Sequence, residues 1–284
     1  MNYVKLKNFC ILIVSYNSEK KIRRLLKIIS KDIKFYIVEN SLDLKIKQNL
    51  EKDFKNVSVI IPKKNLGFAY SLNLITKKIK HEFIIYMDSD IKIKTSDIFK
   101  LLQIAKKVKK FGAITPKINK QDYKDLIIEK NSNGLNQVSF NTGCVMLFKK
   151  KILKKMDYFD DKFFLYFEES DYYKRCIKKN FPIYMYNKVQ ITHEGSSSID
   201  DASNFNYKKV RNWHYCWSKF YYYKKHHGYI TGLSKTFPNL IKSIKNIVIN
   251  FIFFNLKKIS LHYVELEGLV CSYLFIKPFY RIKK

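Results

Sequence analysis

Phe83-Ile84-Ile85-Tyr86-Met87-Asp88-Ser89-Asp90 runs from five apolar residues directly into two carboxylates. The apolar part has the length and β-branched content of a buried strand. The two acids stand one residue apart, within short reach of each other. Hard cations such as Mg²⁺ and Mn²⁺ take oxygen ligands and keep waters or substrate phosphates in their shell. A strand that delivers such a pair to the rim of a sheet suggests a metal-bridged phosphate ligand. The plainer alternative is a strand that runs into a polar turn, because Asp-x-Asp alone is common.

Upstream of this stretch, strand and helix patterns alternate. Phe9 to Ser15 reads as a short apolar strand. Ser18 stands where it can cap the next helix, in which Ile22, Leu25, Leu26 and Ile29 recur at helical spacing. Phe35 to Val38 is a second strand closed by Glu39-Asn40-Ser41, and Val57 to Ile61 is a third, followed by Pro62. Asn65-Leu66-Gly67 is a turn before a helix carrying Leu72, Leu74, Ile75 and Ile79. This alternation implies an α/β fold with a parallel sheet and right-handed crossovers. Ligands on such sheets sit beyond the carboxyl ends of the strands. Ser15-Tyr16-Asn17, Glu39-Asn40, Asn65-Leu66-Gly67 and Asp88-Ser89-Asp90 all occupy those ends, so four polar loops share one rim. Neither Gly-x-Gly-x-x-Gly nor a phosphate loop ending Gly-Lys-Ser/Thr follows the first strand, which argues against dinucleotide-dependent oxidoreductases and P-loop nucleotidases.

The second half is less regular. Ile98, Leu101, Leu102, Ala105 and Val108 mark a helix, and the polar segment from Asp122 to Gln137 reads as loop. Asn141-Thr142-Gly143 precedes a strand ending near Phe148. The aromatic run Phe163 to Phe167 suits core packing or the wall of an acceptor groove. It leads into Glu168-Glu169-Ser170-Asp171 and a helix to about Lys179. Val189 to His193 is strand-like and ends in Glu194-Gly195-Ser196. From about Asn206 the chain turns to Tyr, Trp, Lys and His in long helical patterns, so residues 1–205 read as one domain and 206–284 as a helical, basic-aromatic region.

With 46% apolar residues among 284, the chain buries a sizeable core. Its formal charge is +31, from 55 basic and 24 acidic residues. Only Arg23, Arg24, Arg175, Arg211 and Arg281 are arginines; the other basic residues are lysines spread along the whole chain. That distribution favours a solvated coat of compositional origin over a nucleic-acid surface, which would use more Arg. Five separated cysteines without a Cys-x-x-Cys pair speak against a zinc site and read as small buried hydrophobes in a reducing cytosol. No signal peptide and no spanning segment is visible, which places the protein in the cytoplasm.

Three acids in four residues, Glu168, Glu169 and Asp171, repel one another, and a helix N-terminus partly offsets that repulsion. A carboxylate kept ionised there serves as a general base, unless the group is an ordinary acidic first turn. His193 closes a strand; it is either an Mn²⁺ ligand or a satisfied core or surface residue. Tyr16 either stacks on a nucleobase or packs in the core.

Taken in order, Val-Ser-Tyr-Asn-Ser (14–18), Val-Glu-Asn-Ser (38–41), Asn-Leu-Gly-Phe-Ala (65–69), Met-Asp-Ser-Asp (87–90), Asn-Thr-Gly-Cys (141–144), Tyr-Phe-Glu-Glu-Ser-Asp (166–171) and Thr-His-Glu-Gly (192–195) resemble the family-2 inverting glycosyltransferases of the GT-A fold. The closest flavour is the rhamnosyltransferase-like group that builds bacterial surface polysaccharides. The resemblance covers roughly residues 8 to 200. It implies a Rossmann-like, mostly parallel sheet flanked by helices, with a C-terminal helical extension. It also implies that Ser15, Tyr16, Glu39, Asn65 and Gly67 line the nucleotide site, that Asp88 and Asp90 hold the diphosphate and an Mn²⁺ or Mg²⁺ ion, and that His193 is a further ligand. Glu169 falls where the family places its base, commonly an Asp, with Asp171 the neighbouring alternative. Glu39 likewise stands where an Asp is usual. The expected activity is transfer of a sugar from a nucleoside-diphosphate donor to a hydroxyl of a glycan or lipid-linked acceptor.

Two rival classes are a phosphatase of the haloacid-dehalogenase type and a non-enzymatic protein binding nucleic acid or an anionic surface. The former normally carries its Asp-x-Asp on an early strand with Thr or Val two residues on, where this chain has Lys92. In the helical region, Leu240, Ile241, Ile244, Ile247, Val248, Phe251 and Phe254 form an apolar face. Lys242, Lys245, Lys257 and Lys258 accompany it, and Trp213, Trp217 and Tyr221 to Tyr223 precede it. That pattern predicts peripheral contact with the anionic inner face of the cytoplasmic membrane; the alternative is packing on the catalytic domain or a homodimer interface.

Overall fold

The computed structural model describes residues 8–119, 121–193 and 204–282. Its first half alternates β1 (Phe9–Ser15), α1 (Glu19–Ile28), β2 (Phe35–Glu39), α2 (Leu44–Asp53), β3 (Val57–Ile60), α3 (Gly67–Lys78) and β4 (Phe83–Met87). Then come β5 (Ile91–Lys92), α4 (Thr95–Lys107), β6 (Ala113–Ile118), β7 (Ile127–Glu129), β8 (Leu135–Val138), β9 (Val145–Lys149), α5 (Lys150–Lys155), α6 (Glu168–Lys178) and β10 (Ile183–His193). Helices α7 (Phe205–His227), α8 (Tyr229–Ile252) and α9 (Leu256–Tyr273) follow.

The strands form one sheet in the order β3-β2-β1-β4-β9-β6-β10-β8-β7, with β5 paired to β10 off that path. β3, β2, β1 and β4 run parallel. β9 is antiparallel to both β4 and β6, so β6 and its parallel neighbour β10 share the direction of β4. The sheet is therefore mostly parallel, as the strand-helix alternation predicts. All five side chains of β4 and all five of β9 are buried, the pattern of a central strand covered on both faces. α1 seals one face through Ile22, Leu25 and Leu26, and α4 adds Ile98, Leu101, Leu102 and Ala105.

Three local expectations are corrected. Asp122 to Gln137 is not all loop: β7 and β8 form an antiparallel pair there, with β8 hydrogen-bonded to β10. At three and four residues they are too short for an apolar alternation to stand out from the polar residues around them. Ser18 is the residue before α1 but does not cap it; its hydroxyl donates to the Tyr16 carbonyl at 3.1 Å. Trp213 and Trp217 are core residues and not surface aromatics. The turn read at Glu194-Gly195-Ser196 lies outside the described residues. All five cysteines are free and buried, as read.

The chain divides into two compact units that are not single segments. One comprises Met1–Leu66, Tyr70–Phe159 and Glu169–Asp200; the other comprises Gly67–Ala69, Asp160–Glu168 and Asp201–Lys284. In the second unit Trp213, Trp217, Val264 and Cys271 form a core, with Tyr221 and Tyr280 against it. Trp213 stacks on Tyr280 at 5.9 Å, and its indole N–H donates to Glu267 at 2.8 Å. Burial of a full indole makes its truncation costly. Trp213→Ala is expected to lose roughly 3–5 kcal/mol of stability, whereas a surface aromatic would cost a small fraction of that. Thermal melting followed by circular dichroism decides between the two.

Candidate active site

The site is built where β4 ends. Asp88 and Asp90 follow the last buried residue of β4, and β5 turns back immediately afterwards to pair with the end of β10, His193 opposite Ile91 and Thr192 opposite Lys92. That two-residue ladder brings the imidazole to the acids. His193 Nε2 lies 3.4 Å from Asp90 Oδ1 and 3.6 Å from Asp88 Oδ2. One donor atom from each of the three residues falls within 4.8 Å of the others, and among the described residues they are the group of this kind.

The electrostatics separate the two aspartates. Burial pushes the Asp88 carboxyl up to about 7; the Tyr86 hydroxyl, which donates to it, opposes the shift, and the charge of Asp90 adds to it. Burial would raise Asp90 too, but its hydrogen bond and charge pairing with His193, helped by Lys21, hold it below the ordinary range. The same contact with Asp90 raises His193, against the opposing effect of its own burial. Two carboxylates and one imidazole make an oxygen-rich donor set with a borderline nitrogen, which fits Mn²⁺ or Mg²⁺ and not a soft cation.

Glu169 sits in the first turn of α6 and is partly exposed. Enclosure by protein raises its carboxyl, outweighing its own backbone N–H and that of Ser170. Its charge reaches Asp88 and raises that group further. The loop before β9 closes against it: a Cβ placed on Gly143 would lie 3.1 Å from Glu169 Cβ and Cγ. Asn141 pins this loop from inside, donating to Thr115 Oγ1 at 2.6 Å and to the Pro116 carbonyl at 3.1 Å. It also accepts from the Thr142 amide at 2.8 Å and from Tyr123 at 3.0 Å.

The neighbouring acid Asp171 is differently placed. It is fully buried and pairs with Arg175 at 2.8 Å. Arg175 in turn donates to the carbonyls of Met156 and Tyr158. This carboxylate ties α6 to the chain ahead of it. Glu39 is fully buried too, and its oxygens accept from Ser15 Oγ at 2.7 Å, the Asn17 amide at 3.0 Å and the Ser41 amide at 2.8 Å. It holds the loops after β1 and β2 in shape, with Tyr16 half-buried between them in sequence. Asn40, one residue on, accepts from the Leu66 amide at 2.9 Å and donates to Ser71 at 3.0 Å, which fixes the turn carrying Asn65. Gly67 has φ +73°, and a Cβ there would meet the Phe164 carbonyl at 2.4 Å, so the start of α3 requires glycine. Gly67 and Phe164 belong to the helical unit.

Tyr86, Lys21, Asn141 and Gly143 support the site without having been assigned a role from sequence. For Tyr86 a signal existed: it lies two residues before Asp88 and so on the same face of the strand, the one hydroxyl in an aliphatic run.

An α/β sheet of this order, with a carboxylate pair after its central strand and a histidine returned to it, defines a GT-A type architecture. Residues 10–157, over half of the chain, match the family described as Glycosyl transferase family 2, and the chain belongs to that family. Over 214 residues it is 22% identical to the Low-salt glycan biosynthesis hexosyltransferase Agl10 of Haloferax volcanii, across 66% of this chain and 67% of that protein. Among solved structures it resembles the mannosyltransferase PcManGT from Pyrobaculum calidifontis in complex with GDP-Man and Mn²⁺, with TM-score 0.60, 10% identity, and coverage of 93% of this chain and 86% of that one. GalNAc-T7 with UDP, GalNAc and Mn²⁺ gives TM-score 0.55 at 11% identity; the match takes in 72% of this chain but only 50% of that one. S. aureus TarS 1-349 in complex with UDP-GlcNAc gives 0.52 at 14% identity, over 93% and 91% of the two chains. At these identities the structures show the shared fold alone. The protein is a glycosyltransferase, and the phosphatase and non-enzymatic readings fall away.

Asp171→Asn leaves Arg175 without its charge partner in a buried setting. It is expected to cost about 3 kcal/mol, near the lower end for a broken buried pair because Arg175 keeps some solvent access. Urea unfolding with a fixed m-value measures it; a neutral result would remove Asp171 from this structural role.

Proposed function

We propose that this chain is a metal-dependent, inverting glycosyltransferase that moves a sugar from a nucleoside-diphosphate donor to an acceptor hydroxyl. The observation that carries the reading is the convergence of Asp88, Asp90 and His193 on one small volume, with the Glu169 carboxylate close enough to act on Asp88. Asp88, Asp90 and His193 would hold the divalent cation, Mn²⁺ or Mg²⁺. When bound, such an ion neutralises charge that develops on a departing diphosphate. The rim loops with Ser15, Tyr16, Asn65 and Gly67 would receive the nucleotide, and Glu39 would act by fixing the loops that hold Ser15 and Tyr16.

Glu169 takes the proton from the acceptor hydroxyl. The freed oxygen attacks the anomeric carbon on the face opposite the bond to phosphate, which inverts the configuration, through an oxocarbenium-like state. A base with a raised pKa takes a proton more strongly than an ordinary carboxylate. The resemblance to rhamnosyltransferase-like enzymes motivates a hexose or deoxyhexose donor and a glycan or lipid-linked acceptor of surface polysaccharide. Residues 1–205 would carry this chemistry, and 206–284 would form an appended helical region.

Two experiments test the assignment. Isothermal titration of UDP and of GDP with Mn²⁺ is expected to lose binding in Asp90→Ala. Protons compete with the cation for Asp88 and His193, both raised toward neutrality, so Mn²⁺ affinity should weaken as pH falls from about 8 to about 6. His193→Ala should flatten that dependence. Affinity that is insensitive to both substitutions would remove the metal site.

Glu169→Gln keeps the shape of the side chain and deletes the base. Donor binding and melting temperature should hold, while turnover falls roughly 10²–10⁴-fold. Nucleotide release coupled to a screen of acceptor sugars reads this out, and normal turnover would move the base elsewhere.

A further inference from the structure

Exposed apolar residues of the helical unit are densest where α8 meets α9, while a second group with Ile230, Leu274 and Phe275 lies at the opposite end of that helix pair. α8 and α9 run antiparallel: Ser243 donates to Glu265 at 3.3 Å, and the hydroxyls of Thr236 and Tyr273 lie 2.9 Å apart. Phe253, Phe254 and Asn255 connect them, and the Asn255 side chain caps α9 by accepting from the Lys258 amide at 3.1 Å. At this tip Phe251 is 69% exposed, Ile252 65%, Phe253 75%, Phe254 85% and Leu256 75%. Ile241, Ile244 and Val248 continue the apolar strip along α8 and are also exposed. An apolar cluster this dense on a folded surface marks an interaction site.

Charge identifies what the tip meets. From Ala202 to Val264 the sequence holds eleven lysines and arginines and no Asp or Glu. Lys257 and Lys258 stand exposed beside the tip, and Lys242 and Lys245 are exposed farther back along α8. The two acids of α9 are engaged within the unit: Glu267 accepts from Trp213, and Glu265 accepts from Asn212 at 2.7 Å. Among the described residues no helix is long and apolar enough to cross a membrane. Phenylalanines and aliphatic residues beside lysines, without an acid, suit a surface whose outer layer is anionic and whose inner layer is apolar. Two copies meeting tip to tip would instead bring like charges together.

We propose that the α8–α9 tip docks on an anionic phospholipid bilayer. The side chains of Phe253, Phe254 and Leu256 enter the boundary between headgroups and acyl chains, and Lys242, Lys245, Lys257 and Lys258 bind the headgroup phosphates. Trp213 and Trp217 take no part, being buried. This docking goes beyond the glycosyl-transfer reading and holds whatever sugar the site accepts.

The test is co-sedimentation of the full chain with vesicles of phosphatidylcholine mixed with phosphatidylglycerol, against phosphatidylcholine alone. Binding is expected to the mixed vesicles and to weaken at high salt. Lys257→Gln/Lys258→Gln should reduce partitioning on the order of 25-fold, about fivefold for each lysine. Phe253→Ser/Phe254→Ser should remove the binding that salt leaves behind, with the melting curve unchanged because both positions are exposed. Equal binding to both vesicle types, or undiminished binding in both double variants, would overturn the proposal. So would a dimer in sedimentation velocity that Phe253→Ser/Phe254→Ser abolishes while no vesicle binding is found; the tip would then be a self-association surface.

Discussion

Asp88, Asp90 and Glu169 are held close together at the carboxyl rim of the sheet, and the charges of Asp90 and Glu169 make Asp88 harder to ionise. The chain meets that repulsion unevenly. Asp90 is held down by His193 and the field of Lys21, while burial outweighs the Tyr86 hydroxyl and the charge of His193 at Asp88 and pushes it up to about 7. The histidine arrives through a strand pairing only two residues long, braced by the Asn119 amide on the Ile191 carbonyl at 2.9 Å and the Asn119 side chain on Thr192 at 3.1 Å. A ladder this short contributes little stability of its own, so its persistence reflects the attraction between imidazole and acids as much as it causes it. In the proposed reading, a divalent cation turns the remaining repulsion into binding energy.

The loops around this cluster are fixed by buried amide and carboxyl groups whose hydrogen-bonding capacity is spent internally. Glu39, Asn40 and Asn141 each bridge two or more chain segments. A buried polar group costs free energy when unpaired and rigidifies its surroundings when fully paired. Replacing any of them removes several partners at once. The rim is therefore preformed, as a site needs to be if it is to orient a nucleotide and an acceptor without paying for loop ordering at each encounter.

The alternating first half was legible because β1 and β4 are almost wholly buried and each helix buries one face, so continuous apolar runs and the helical period both show in the sequence. β1 begins and ends where the apolar run does, and β4 ends one residue before Asp88. Legibility failed where structure depends on partners far along the chain. β5, β7 and β8 are short and stabilised by β10 or by one another, and nothing local marks them. The site residues named from strand ends do lie at those ends, but sequence could not tell which carboxylates are engaged by protein. Asp171 and Glu169 look alike two residues apart; only the position of Arg175 one helical turn on distinguishes them, and i, i+4 spacing is also common on solvated helix faces. The aromatic stretch of α7 misled for a related reason. Indole and phenol rings suit an interface or a core equally, and α9, which buries them, lies about fifty residues away in sequence.

The match to Glycosyl transferase family 2 ends at residue 157, so Glu169, His193 and the helical region rest on the geometry of this chain. The helical unit has its own constraint. Tyr166 and Phe167, just ahead of α6, both adopt left-handed backbone angles, φ 68° and 66°. Non-glycine residues pay about 1–2 kcal/mol each for that conformation, and two in succession persist only where surrounding contacts over-determine them. Those contacts come from α7: Tyr215 packs on both rings, Tyr222 packs on Phe167, and Arg211 donates to the Tyr166 hydroxyl at 2.7 Å. The backbone turn at Tyr166 and Phe167 is thus held in a strained shape by side chains of the same helical unit, and it persists because several rings and one guanidinium fix it at once.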